Sequence, residues 1–242
     1  MEKIKQTIKS ISFGILILLL YLLLPNLLVH LMRDLLLSTN FWIHNLSFLS
    51  IYLITFLIIF LIARKDIIKQ WKSFLKNHKQ ILSKGLTYWV YGIIVMIISN
   101  LIITAIIGNI AVNEQVTRET LLLAPLYAIP TITLIGPFLE ELVFRYGFRK
   151  PFKKEITYAI FCALLFGGLH VITAIEEWKL ANIFISLFLE GEILFLIPYG
   201  SLGFFFAKAY YETENIFSSV IPHMLHNTIS VLLILLTHFL QM

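Results

Sequence analysis

The chain of 242 residues is 59% hydrophobic and only 14% charged, with a mean hydropathy of +0.87. Soluble domains are about 45–50% apolar and about 25% charged, whereas several apolar runs here reach the roughly 20 residues that cross a bilayer. The composition therefore predicts an all-α, polytopic transmembrane helical bundle, one integral-membrane domain over residues 1–242. It excludes a β-barrel, because the short alternating segments of barrel strands are missing.

The net charge of +5 reflects membrane topology rather than a nucleic-acid partner. Fifteen of the 19 Lys and Arg residues fall in three clusters, at 3–9, 64–84 and 145–154. Because cytoplasmic loops carry an excess of Lys and Arg, we expect a multi-pass cell-membrane protein with these clusters and the N-terminus in the cytoplasm. Arg33, Arg118 and Lys179 then lie on the other side. The Ile-, Leu- and Lys-rich composition suits a low-GC bacterium.

Apolar runs predict seven or eight membrane helices, over residues 11–30, 46–63, 89–110, 121–144, 156–175, 180–211 and 216–240. The first run lacks a small-residue cleavage site, so we expect a retained helix rather than a signal peptide. Residues 66–84 alternate apolar and basic residues at helical spacing, which predicts an amphipathic helix on the cytoplasmic leaflet.

The stretch 180–211 can be divided in two ways. It is either one long helix, or a short helix ending at residue 189 and a second over 193–210. We favour two helices, because thirty residues is long for one span and Glu190-Gly191-Glu192 is a plausible break. We expect Glu190 and Glu192 to meet water at this break, although they could also line a substrate entrance. The two divisions place the C-terminus on opposite faces, so its side stays open.

A pair of carboxylates ends the fourth apolar run. Glu140 and Glu141 are adjacent, and a charge near lipid costs about 2.5–3.5 kcal/mol even on the mildest scales. Arg145 follows Glu141 by four residues and shares its helix face, with the acid on the favourable N-terminal side. Glu140 lies about 100° further round the helix. Pro130, Gly136 and Pro137 remove helix hydrogen bonds just before the pair. The pattern predicts one carboxylate in an ion pair and one left for other work.

Two further polar groupings lie in apolar spans. His170 follows Phe166 and two glycines that would let another backbone approach. His223 and Asn227 are four residues apart and share a helix face, whereas His226 is displaced by about 60°. Each group alone fits interhelical hydrogen bonding, but together with the carboxylates they predict a functional site. The lone cysteine, Cys162, is predicted to be a small buried hydrophobe.

The order Glu-Glu-x-x-x-Arg, Phe-x-x-x-His and His-x-x-x-Asn resembles the CPBP (Abi) family of intramembrane proteases. That family includes type II CAAX prenyl endopeptidases and bacterial bacteriocin-processing and immunity proteins. The resemblance covers residues 136–227 and implies a catalytic core over about 121–240, while residues 1–120 match only as membrane helices. It implies catalytic Glu140, His170, His223 and Asn227, supported by Glu141, Arg145 and Phe166. His226 is not a motif position, and we treat it as a bystander.

Peptide hydrolysis needs an activated water and donors for the oxyanion. We expect Glu140 with His170 to activate the water, and His223 with Asn227 to stabilise the oxyanion. The kinked helices would open a cavity near the cytoplasmic surface. The expected substrate is a peptide or lipidated peptide, with a small secreted peptide, a pheromone precursor or a bacteriocin favoured over a prenylated CAAX protein.

Three alternatives remain. Zinc could bind through Glu140, His170 and His223, but the compact His-Glu-x-x-His signature is missing and a metal-free glutamate mechanism is favoured. The protein could instead be a non-catalytic bacteriocin self-immunity or membrane scaffolding protein. A secondary transporter using Glu140 as its proton site would predict inverted repeats, which the sequence does not show.

Overall fold

The computed structural model describes residues 2–172, 182 and 184–241. Every regular element within these ranges is helical, in agreement with the predicted all-α class. The helices used below are α1 (Glu2–Leu31), α2 (Arg33–Leu36), α3 (Phe41–Ile107), α4 (Val112–Leu123), α5 (Pro125–Tyr146), α6 (Glu155–Ile172), α7 (Glu192–Thr213) and α8 (Phe217–Leu240). A short π-helical turn, Ile185–Leu189, precedes α7.

Six helices of the described chain are long and apolar enough to cross a membrane, namely α1, α3, α5, α6, α7 and α8. The predicted number of seven or eight is wrong for this part of the chain, because the predicted span 46–63 and most of the predicted span 89–110 belong to one helix, α3, which ends at Ile107. The described end of the predicted short helix is the helical turn Ile185–Leu189, which stops before Gly191 (φ 79°) at the predicted break, while residues 180, 181 and 183 lie outside the described residues. The same holds for the expected end of the fifth span at Ile175 and for the charged residues Glu176, Glu177 and Lys179.

Helix α3 has 67 residues, which at about 1.5 Å per residue gives roughly 100 Å of helix. The helix bends back on itself, because Tyr52 and Met96 line the same cavity although they are far apart along the helix. The backbone leaves helical geometry at Asn77 (φ −122°, ψ 21°). The two halves of α3 therefore run in opposite directions on either side of Asn77, and each half contains all or most of one of the predicted spans.

The middle of α3 is the predicted basic surface helix, and it packs on protein. Ile67, Phe74 and Ile81 are buried in the main hydrophobic core. The Trp71 and Phe74 rings lie 5.0 and 5.5 Å from the ring of Phe217 at the start of α8. Part of the apolar face therefore covers the helical bundle. This corrects the prediction that the whole face lies on lipid.

One end of the bundle, here called the basic end, is formed by residues 147–154, residues 213–217 and the middle of α3. Tyr146 donates a hydrogen bond to Asp66 at 2.7 Å, and Asn215 donates to the Gln70 carbonyl at 2.8 Å. The start of α1 is also at this end, because the rings of Phe13 and Tyr146 lie 5.8 Å apart. The three basic clusters of the sequence therefore meet at one end of the fold.

The opposite end, here called the α4 end, contains α4 and the last turns of α8. The Tyr127 N–H donates to Asn45 at 3.2 Å, and Val231 packs in a cluster with Leu121 and Ala128. Because α8 begins at the basic end and finishes here, the two termini of the described chain lie at opposite ends.

Small residues bring α6 and α7 close together. A Cβ atom at Gly167 would lie 2.9 Å from the Leu196 carbonyl oxygen and 3.0 Å from the Gly200 nitrogen. A Cβ atom at Gly168 would meet nothing within 4 Å. Only the first of the two glycines therefore permits the predicted close approach, and it fixes α6, with His170 at its far end, against α7.

Candidate active site

The two carboxylates lie on a distorted stretch of α5. Two π-helical segments, Thr131–Ile135 and Glu141–Tyr146, flank a single α-helical turn, Gly136–Glu140. A Cβ atom at Gly136 would lie 2.7 Å from the Thr131 carbonyl oxygen, so a larger residue would not fit without a shift. Segments of this kind are frequent at functional sites, because they redirect side chains and leave helix hydrogen bonds unmade. The distortion predicted just before the carboxylates is present.

Glu141 and Arg145 form a fully buried ion pair, as their spacing predicts. Arg145 Nη1 lies 3.1 Å from Glu141 Oε1, and neither side chain is exposed. None of the guanidinium nitrogens makes an aligned hydrogen bond within the described chain, so charge and packing hold the pair. The guanidinium lies 4.5 Å from the centroid of the Phe166 ring, where a desolvated cation–π contact contributes about 2 kcal/mol. This contact gives Phe166 a physical basis for its predicted supporting position.

His223 lies between the two carboxylates. Its Nδ1 is 2.9 Å from Glu141 Oε1, and its Nε2 is 3.6 Å from Glu140 Oε2. An ionised carboxylate only accepts hydrogen bonds, so Nδ1 carries a proton and donates to Glu141. The Glu140 side chain is 18% exposed, whereas that of Glu141 is fully buried. The structure thus contains one carboxylate held in a buried network and one that is accessible, as the sequence indicated.

His170 is oriented by its own helix and by a ring from α7. Its Nδ1 lies 2.8 Å from the Phe166 carbonyl oxygen, so Nδ1 carries a proton and donates to that carbonyl. The Tyr199 ring stacks on the imidazole, with centroids 4.7 Å apart and planes 25° apart. Tyr199 also accepts a 3.4 Å hydrogen bond from Asn113 on α4. Sequence patterns gave no signal for Tyr199, because its neighbours are distant in the chain.

Asn227 connects α8 to the distorted part of α5. Its Nδ2 donates to the Ile132 carbonyl oxygen at 2.9 Å, within the first π-helical segment. One N–H of the amide is therefore used to hold α5 against α8. The sequence predicted that Asn227 donates to the oxyanion. Because one N–H of its amide is bound to Ile132, the other N–H would have to make that hydrogen bond.

A cavity of about 560 Å³ brings the predicted catalytic residues together. Glu140, His170, His223 and Asn227 all line it, as does His226, which the sequence treated as a bystander. The lining continues along α4 and the end of α8. The cavity therefore extends toward the α4 end, away from the basic end where the sequence placed its opening. Its volume is in the usual range of ligand sites.

Side chains of α6 hold the end of α5 below the carboxylates. Tyr158 donates to the Arg145 carbonyl oxygen at 2.9 Å, and the Cys162 thiol lies 3.2 Å from the Phe144 carbonyl oxygen. Carbonyls in the last turn of a helix have no intrahelical partner, so these contacts satisfy them without water. Cys162 is buried, as predicted, and also makes this weak hydrogen bond. No motif marks either residue.

The two acidic residues at the predicted break, Glu190 and Glu192, have different surroundings. Glu192 is 6% exposed, and its carboxylate accepts from the Val112 N–H at 3.3 and 3.4 Å. A carboxylate at a helix N-terminus is favourable, so Glu192 supports the start of α4. The expectation that Glu192 meets water at a break is wrong for that residue. Glu190 is exposed.

The donors named for zinc do not fit a metal site as they lie. Across the described ranges, no three His, Cys, Asp or Glu side chains are grouped so that they could hold one ion. His223 Nδ1 is engaged with Glu141 at 2.9 Å, which leaves Nε2 as the nitrogen of that ring that could bind a metal.

The fold and site together define a helical membrane protein with a buried acid–base cluster facing an internal cavity. Residues 122–229 match the profile of the family described as Rce1-like, "Type II CAAX prenyl endopeptidase Rce1-like". The match covers somewhat less than half of the chain and agrees with the resemblance found in the sequence. The matched range contains every predicted catalytic and supporting residue.

Two bacterial relatives are similar over a larger part of the chain. "UPF0177 protein YvdC" of Lactococcus lactis subsp. lactis (strain IL1403) is 30% identical over 188 residues, which cover 74% of this chain and 62% of the relative. "Putative membrane peptidase YdiL" of Bacillus subtilis (strain 168) is 24% identical over 160 residues, covering 66% of this chain and 52% of the relative. The matches thus span between half and two thirds of these relatives. No solved structure matches the chain significantly.

Proposed function

We propose that this protein is an intramembrane endopeptidase that hydrolyses a peptide or lipidated-peptide substrate. The observation that carries the proposal is His223 held between Glu141, at 2.9 Å, and Glu140, at 3.6 Å, in a cavity also lined by His170 and Asn227. An accessible carboxylate beside two imidazoles is a set of groups that can activate a water molecule. The match of residues 122–229 to the Rce1-like family supports the same class of reaction.

Glu140 is the group we assign as general base. It is the more exposed of the two carboxylates, and Arg145 is paired with its neighbour Glu141 instead. His170 lines the same cavity, and the hydrogen bond from its Nδ1 to the Phe166 carbonyl fixes the orientation of the ring. Glu140 and His170 together would orient the water and take its proton as it attacks the peptide carbonyl carbon.

His223 and Asn227 are the groups we assign to the oxyanion. Attack on a peptide carbonyl places a negative charge on its oxygen, and donors already in position stabilise that charge. A protonated His223 could donate through Nε2, with Glu141 stabilising the imidazolium on the other side. Asn227 would donate its second N–H while the first holds Ile132. The proton would then pass to the leaving amine.

The test is cleavage of a peptide library by protein purified in detergent. The library would contain unmodified, prenylated and acylated peptides, and the wild type would be compared with Glu140→Ala. Glu190→Ala is the matched control, because Glu190 is an exposed carboxylate outside the catalytic cavity. Cleavage by the wild type and the control, but not by Glu140→Ala, is the expected result. Equal cleavage by all three proteins would remove Glu140 from the mechanism.

Two further conditions separate the alternatives. Cleavage that survives a strong chelator would favour the metal-free mechanism, whereas cleavage lost in chelator and restored by zinc would show a metal requirement. If cells expressing Glu140→Ala were protected from a bacteriocin as well as wild-type cells, and neither protein cleaved any peptide, a non-catalytic immunity role would replace the proposal.

A further inference from the structure

The cavity that contains the proposed catalytic residues is closed on the side that faces the basic end. Residues 141–146 lie there, and all six are buried. Below them, Tyr146 is bonded to Asp66 on α3. The loop 147–154 and residues 213–217 are fully described, and none of them lines the cavity. A substrate that enters from the basic end would have to pass through this packed layer.

The cavity continues toward the α4 end instead. Asn113, Thr117 and Thr120 of α4 line it, as do Ile234 and Thr237 in the last turns of α8. These positions follow the cavity from the catalytic residues to the surface of the bundle. Among the described residues, the cavity that contains Glu140 therefore reaches the surface of the bundle at α4.

Charge assigns a side of the membrane to each end. The basic end contains all three Lys and Arg clusters, whereas Arg33 and Arg118 are the cations of the described chain at the α4 end. Short loops rich in Lys and Arg remain in the cytoplasm, so the basic end is cytoplasmic. The α4 end, with the mouth of the cavity, is then on the outer face.

We propose that the site takes peptides presented at the outer face of the membrane, after they have crossed it, rather than peptides approaching from the cytoplasm. The inference rests on the proposed peptidase function in taking the bound molecule to be a peptide substrate. The orientation of the cavity does not depend on that function. It replaces the cleavage near the cytoplasmic face that the sequence alone suggested. The reaction that supplies the substrate is then an export step, which delivers the peptide chain before it is cut.

The mouth of the cavity is suited to a peptide chain. Arg118 and Glu114 form an ion pair at 2.6 Å with side chains 43% and 30% exposed, so charged groups meet solvent there. Deeper in, the lining includes the aromatic rings of Tyr52, Tyr127 and Tyr199. Tyr199 contacts both Asn113 at the mouth and His170 at the site. A substrate bound at α4 would thus contact these tyrosine rings on its way to the catalytic groups.

The test is the labelling of single cysteines with a membrane-impermeant maleimide in intact bacterial cells. The wild type is the blank, because its only cysteine, Cys162, is fully buried. Three variants add a second cysteine: Glu119→Cys on the exposed face of α4, Thr117→Cys inside the mouth, and Lys153→Cys at the exposed basic end. Labelling after permeabilisation shows that each variant is present and reactive.

Labelling of Glu119→Cys and Thr117→Cys in intact cells, with Lys153→Cys labelled only after permeabilisation, is the expected result. The reverse pattern, or labelling of both ends in intact cells, would overturn the orientation. Labelling of Glu119→Cys without Thr117→Cys would overturn entry at α4. The experiment does not depend on catalysis. If the expected pattern appeared but no peptide were cleaved in detergent, the peptidase function would fail while the orientation stood.

Discussion

His223 donates its Nδ1 proton to Glu141 across 2.9 Å, and this contact joins α8 to α5 at the centre of the site. The same Glu141 oxygen lies 3.1 Å from the Arg145 guanidinium. One buried carboxylate oxygen therefore balances a permanent cation and orients the imidazole that faces Glu140. In the proposed mechanism the adjacent carboxylates have separate tasks for this reason: Glu141 fixes the geometry, and Glu140 would meet the substrate.

Glu141→Gln should destabilise the protein strongly. The change leaves the buried Arg145 charge without its counter-ion, and removing one partner of such a pair costs about 3–5 kcal/mol. Thermal unfolding in detergent would measure the loss. Glu140→Gln is the control, since Glu140 is partly exposed, and it should cost less than about 1 kcal/mol. Equal destabilisation by the two variants would contradict the division of tasks.

Gly167→Ala and Gly168→Ala should differ although they are neighbours. The Cβ of an alanine at position 167 would lie 2.9 Å from the Leu196 carbonyl oxygen, whereas a Cβ at position 168 would meet no atom within 4 Å. Overpacking of this kind costs about 1–3 kcal/mol, whereas alanine at an unhindered helical glycine is neutral or stabilising by up to about 1 kcal/mol. Unfolding temperatures of the two variants provide the comparison. A matching decrease in both would show that α6 and α7 are less closely packed than described.

Tyr158→Phe should destabilise the end of α5 through a lost hydrogen bond. The buried Arg145 carbonyl would lose its donor, and an unsatisfied buried group costs about 1–3 kcal/mol. Tyr211→Phe is the matched control, because Tyr211 donates to the Lys153 carbonyl in an exposed position where water can replace it. Chemical or thermal unfolding would measure both. A larger loss for Tyr211→Phe would mean that the Tyr158 contact does not support the site.

Asn227→Ala should slow catalysis more than it weakens substrate binding. Loss of an oxyanion donor lowers kcat by about 10²–10³-fold, with KM little changed if the donor acts in the transition state. Thr228→Val is a suitable control, since the Thr228 hydroxyl bonds to the Met224 carbonyl within α8. Steady-state cleavage rates would decide. A higher KM with an unchanged kcat would assign Asn227 to substrate binding instead.

Much of the helix layout could be predicted from hydropathy alone. The spans predicted over 121–144, 156–175 and 216–240 correspond to α5, α6 and α8, because an apolar run must be long enough to cross a bilayer and cannot be much longer. For α3, the sequence predicted two spans joined by a separate surface helix, whereas the structure has one bent helix. Its lysines lower the hydropathy without ending the helix. The bend at Asn77 has no proline or glycine beside it, so the sequence did not predict it.

The site was predicted as far as its residues share a motif or a helix face. The Glu141–Arg145 pair follows from four-residue spacing, but the contact of His223 with Glu141 joins residues 82 apart in the chain. Tyr158 and Tyr199 support the site from other helices and carry no periodic signal. The opening at α4 depends on which helices surround the cavity, and local sequence does not specify that arrangement.

The most direct test of the account is the rate of peptide cleavage by purified Glu140→Gln, measured beside wild type and Glu190→Gln on the best substrate of the library. Glutamine has nearly the same shape as glutamate but cannot accept the proton of an attacking water. General-base removal lowers rates by about 10²–10⁴-fold, so a loss in that range for Glu140→Gln, with Glu190→Gln at the wild-type rate, is the predicted result. Cleavage by Glu140→Gln at the wild-type rate would contradict the account.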